Sequence, residues 1–77
     1  MTIFDEIEQE INRGNTKHGS GPLATPIEVG CILCEELGEF CQAVLKRQSD
    51  NARKELIQVA AVAINHLRGT GPHYSDK

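Results

Sequence analysis

An all-α fold is predicted by three features: apolar residues recurring every three to four positions, a complete capping box at Thr25, and turn-forming residues between the periodic runs. The expected architecture is an antiparallel helical hairpin preceded by a short N-terminal helix, in one domain over residues 1–77.

Residues 1–13 form the short helix, with Ile3, Phe4, Ile7 and Ile11 at helical spacing and Thr2 as the cap ahead of Asp5 and Glu6. Residues 14–24, GNTKHGSGPLA, are dense in Gly, Ser, Asn and Pro and read as a loop. Thr25-Pro26-Ile27-Glu28 combines a Thr cap, Pro at the first helical position and Glu at the third, so a helix spans 25–47. QSDN at 48–51 stops it and offers Ser49 and Asp50 as new caps, and a second long helix covers 50–68. Gly69 is the expected terminating residue, Gly71-Pro72 blocks continuation, and 69–77 read as a loose tail.

The chain has 77 residues, 39% of them apolar, and its aromatic residues are only Phe4, Phe40 and Tyr74, which bounds the core as thin. Such a chain needs a metal, a disulfide or a partner subunit to hold together. Cys31, Cys34 and Cys41 are odd in number and share one apolar segment, so they read as buried free thiols rather than a disulfide framework. A zinc site lacks a fourth ligand at suitable spacing. No signal-like or membrane-spanning apolar run is found, so a reducing cytoplasm is the expected location. The net charge of −3 argues against duplex nucleic acid as a partner.

Successive helical residues turn by about 100°, which puts Glu36 and Glu39 on one stripe with Ile32 and Ala43, flanked by Val29, Leu33 and Phe40. On the next helix Glu55, Gln58 and Val62 share a stripe, with Asn65 at its edge. In a hairpin with a short link, residues equidistant from the turn lie level, so Glu39 meets Glu55 and Glu36 meets Gln58. Each glutamate taken singly is an ordinary surface residue. Gathered together they repel, and a hard divalent cation with oxygen ligands relieves that repulsion.

EELGE at 35–39 and KELIQ at 54–58 resemble the paired ExxE and ExxD motifs of the MazG-like, all-α nucleoside triphosphate pyrophosphohydrolases, most closely the short, phage-like members. The resemblance covers Lys17 to Leu67. It implies that Glu36, Glu39 and Glu55 hold Mg²⁺, with Mn²⁺ as a substitute, and that Gln58, standing where the family has its final Asp, joins them as a metal ligand through its one side-chain carbonyl oxygen. It also implies hydrolysis of NTPs or dNTPs to monophosphate and pyrophosphate, a house-cleaning activity, with Glu36 or Glu39 activating water for attack on the α-phosphorus. Lys17-His18-Gly19 is similar to a lysine-aromatic-glycine element of short members, which makes Lys17 a phosphate contact. Asn65 lies two turns beyond Gln58, where a polar side chain can meet the nucleotide.

Ile27, Cys31, Cys34, Cys41 and Leu45 form a second apolar stripe nearly opposite the acidic one, with Gly30 and Gly38 close by. On the last helix Leu56, Ile57, Ala60, Ala61, Ala63, Ile64 and Leu67 cover more than one face. One hairpin cannot bury all of this. The expectation is a homodimer or homotetramer that completes a helix bundle. Three functions follow: an enzyme, a nucleotide-binding module in which Gln58 blocks turnover, or a structural oligomer with solvated acids.

Overall fold

The computed structural model describes residues 1–18 and 25–68, and these form three α-helices with no strand among them. Helix α1 is Ile3–His18, α2 is Pro26–Leu45 and α3 is Ser49–Leu67. Both α1 and α2 pack on α3, so α3 is the element that the other two share. No described helix is long and apolar enough to cross a membrane.

Thr2 and Asp5 cap α1 reciprocally, the Asp5 amide donating to Thr2 Oγ1 at 3.1 Å and the Thr2 amide to Asp5 Oδ2 at 3.0 Å. The same chemistry starts α2. The Glu28 amide donates to Thr25 Oγ1 at 3.2 Å, and the Thr25 amide donates to Glu28 Oε1 at 2.8 Å. Two amide groups that a helix start leaves without partners are thereby satisfied.

The expected boundaries need three corrections. Helix α1 does not stop at Arg13 but runs through Gly14 to His18, inside the stretch read as loop. One glycine costs a helix only about 1 kcal/mol, which leaves continuation possible. Helix α2 ends at Leu45 rather than at residue 47, because Arg47 turns the chain out of the helix with φ 59°. The Arg47 amide donates to the Val44 carbonyl at 3.0 Å, and the Gln48 amide to the Ala43 carbonyl at 2.9 Å, which is the Schellman closure. That tight exit starts α3 one residue early, so Gln48 rather than Ser49 or Asp50 takes the cap position, without a side-chain capping bond. The Gly69 stop and the 69–77 tail lie outside the described residues.

Burial follows the thin composition. The buried apolar residues are Ile11, Val29, Ala43, Ala52 and Ala61. Three alanines let helices approach closely but bury little area, and Val29 and Ile11 are the larger of these buried side chains, contributing roughly 1.5 to 3 kcal/mol each. In the stripe expected on α1, Ile11 is buried and Ile7 half-buried, but Phe4 is 73% exposed. The cysteines, expected inside, are all exposed, because no other described element covers their face of α2.

Two ion pairs link α1 to α3. Glu6 pairs with Arg53 and Glu8 with Arg68. Those arginines are about 22 Å apart along α3, and each reaches one of two glutamates that are close together on α1. All four side chains are substantially exposed, and such pairs contribute little individually.

Candidate metal centre

The acidic centre is built by two helices with the same local pattern. EELGE puts Glu36 and Glu39 one turn apart on α2, and KELIQ puts Glu55 and Gln58 one turn apart on α3. Packing of α2 on α3 turns these faces toward each other. One carboxylate oxygen from each of Glu36, Glu39 and Glu55 then lies within 4.8 Å of the others. Glu36, Glu55 and Gln58 are half-buried and Glu39 is exposed, so the cluster sits at the rim of the interface with one side open to solvent.

Gln58 joins the cluster as a donor. In the amide orientation that satisfies its hydrogen bonding, its NH₂ group donates to Glu36 Oε1 at 2.9 Å and to Glu55 Oε1 at 3.0 Å. The sequence reading gave Gln58 a carbonyl oxygen to offer a cation. Here the nitrogen faces the acids, and it bridges two carboxylates that otherwise repel. An aspartate at this position would add a fourth acceptor and a further charge.

Glu36 carries the electrostatic cost of this arrangement. Burial, then the charges of Glu39 and Glu55, a shared hydrogen bond with Glu55 and the charge of Glu35 push its carboxyl up to about 7. Among these causes loss of water is the largest, followed by like-charge repulsion. A divalent cation with oxygen ligands answers both, since it neutralises the charges and coordinates the oxygens water has left. The donor set, hard carboxylate oxygens with one side open to solvent, is of the kind that suits Mg²⁺ or Mn²⁺.

One residue of the neighbourhood was not foreseen. Arg13 on α1 pairs with Glu10, and its guanidinium is held more firmly protonated by that pairing first and, more weakly, by the field of Glu36. A cation on α1 therefore lies within the electrostatic reach of Glu36. Helical periodicity could not reveal it, because the position of α1 relative to α2 is not written in either helix alone. A groove of about 490 Å³ between α1 and α3, lined in part by Glu10, Arg13, Arg53 and Lys54, contains none of the four clustered residues.

Asn65 is half-buried on α3, about 10 Å along the helix axis from Gln58 and outside the cluster. Lys17 belongs to the last turn of α1, and its side chain is outside the described residues. His66 is 4% exposed in the last turn of α3.

No protein-family model matches this chain, and neither a curated protein nor a solved structure shows significant similarity to it.

Proposed function

We propose that this chain is a Mg²⁺-dependent nucleoside triphosphate pyrophosphohydrolase, acting on NTPs or dNTPs to give the monophosphate and pyrophosphate. One observation carries the reading: carboxylate oxygens of Glu36, Glu39 and Glu55 converge within 4.8 Å from two facing helices. The resemblance of EELGE and KELIQ to the paired MazG-like motifs supports it, since both motifs contribute to that one cluster. A bound cation supplies charge neutralisation and phosphate binding.

The chain's own residues do the rest. Glu36, Glu39 and Glu55 hold the cation, with Gln58 able to join only after its amide turns its oxygen inward. Glu36 or Glu39 accepts the proton of the water that attacks the α-phosphorus, and Lys17 and Asn65 contact the nucleotide. Positioning and charge neutralisation supply most of the rate. In this reading α2 and α3 are an antiparallel hairpin, and a homodimer or homotetramer in the cytoplasm completes the bundle.

Gln58 favours a second reading. Its NH₂ group bridges Glu36 and Glu55 instead of offering the cation a fourth oxygen; in this reading the chain is a nucleotide-binding module that turns its ligand over weakly or not at all. A panel of NTPs and dNTPs with Mg²⁺, assayed for pyrophosphate, separates the two. Metal-dependent release that disappears in Glu39→Gln supports the enzyme, binding without release supports the module, and neither binding nor release contradicts both.

A further inference from the structure

Along α2, Ile27, Cys31, Cys34, Gly38, Cys41 and Leu45 follow one another in alternating steps of four and three residues. That is the spacing of a coiled-coil seam, which keeps one line of side chains facing a second helix. The seam lies on the opposite face of α2 from Val29, Glu36 and Ala43. It is open: Ile27 is 79% and Leu45 82% exposed, and all three cysteines are exposed. A Cβ added at Gly38 meets nothing within 4 Å.

We propose that this seam is a self-association surface, on which α2 of a second copy of the chain packs antiparallel about a two-fold axis level with Glu36. It gives the self-association proposed above its contact face, and it does not depend on what the acidic centre binds. Two features select a second copy as the occupant. The first is size. Turned end for end about its midpoint, the seam sets Ile27 against the partner's Leu45, Cys31 against the partner's Cys41, and Cys34 against the partner's Gly38. Large residues meet at both ends and small ones between them, so two helix backbones can approach closely along the middle. Only an isologous pairing uses that symmetry.

The second feature is charge. Glu28 and Lys46 share one flank of the seam at nearly mirrored levels, so each Glu28 comes beside the partner's Lys46 at either end of the contact. On the other flank Leu37, 44% exposed, meets its own mate beside the axis. Glu35 also meets its mate there on the charged flank, the one unfavourable meeting in the register.

The test uses the full chain, with sedimentation equilibrium under reducing conditions followed by oxidative cross-linking. Chains retaining only Cys31 (Cys34→Ser, Cys41→Ser) are mixed with chains retaining only Cys41 (Cys31→Ser, Cys34→Ser). The register predicts a disulfide-linked dimer in the mixture and almost none from either chain alone. Gly38→Arg fills open space in the single chain, so its helical circular dichroism stays unchanged while dimerisation weakens by about a hundredfold. A dimeric wild type whose Gly38→Arg variant dimerises equally well, or whose Cys31-only chains cross-link among themselves, overturns the seam but leaves self-association standing. A wild type that is monomeric at millimolar concentration overturns both.

Discussion

At the residue scale, Glu36 ties the acidic centre to pH. Its carboxyl is raised from 4.5 to about 7 in the folded chain, so between those values the folded state holds a proton that the unfolded state has lost. Without metal, that contribution to stability is complete below about pH 4.5 and is lost as pH rises through 7. Thermal melts in a chelator are expected to show falling stability over this window, and Glu36→Gln is expected to flatten the fall. Divalent affinity runs the other way, rising with pH as the proton leaves. Gln58 gives a second prediction at this scale. Gln58→Asp removes the amide bridge between Glu36 and Glu55 and adds a fourth acid. The variant should lose about 1 to 3 kcal/mol of metal-free stability and bind Mg²⁺ about tenfold more tightly, measured by melts in chelator and by calorimetry.

At the scale of the element, the two ends of α2 are stabilised unequally. Its start has a full capping box, and Thr25→Ala should cost about 1 kcal/mol in urea unfolding. Its end puts Arg47 at φ 59°, where a side chain crowds the following carbonyl, so Arg47→Gly should gain about 1 kcal/mol. The box was legible in Thr25-Pro26-Ile27-Glu28 because capping is local chemistry. The Arg47 turn was not, since no glycine marks it. Nor was the end of α1, where Gly14 suggested a break that one unfavourable residue is too weak to impose. The meeting of Glu36, Glu39, Glu55 and Gln58 followed from periodicity and a short link. Which atom of Gln58 faces the acids, and the approach of Arg13, depend on packing that periodicity does not contain.

At the scale of the whole molecule, this chain buries little. Val29 and Ile11 are its only buried large aliphatic side chains among the described residues, whereas Ile27, Val44, Leu45 and Leu67 are each more than half exposed. Periodicity identified the second apolar stripe of α2 correctly as apolar, but an apolar stripe does not say what covers it, which is why the cysteines were expected inside and are found outside. Ile11→Ala should cost about 3 kcal/mol and release α1 from α3, seen as faster hydrogen exchange along α1. A ligand can offset such marginality: a cation at about 100 times its Kd adds about 2.7 kcal/mol. The most direct test of the central claim is therefore calorimetric titration of Mg²⁺ into the chain above pH 7, beside Glu39→Gln and Glu55→Gln. Saturable binding by the wild type that either substitution abolishes is the predicted result. Absence of binding, or binding that both variants retain unchanged, would contradict the account.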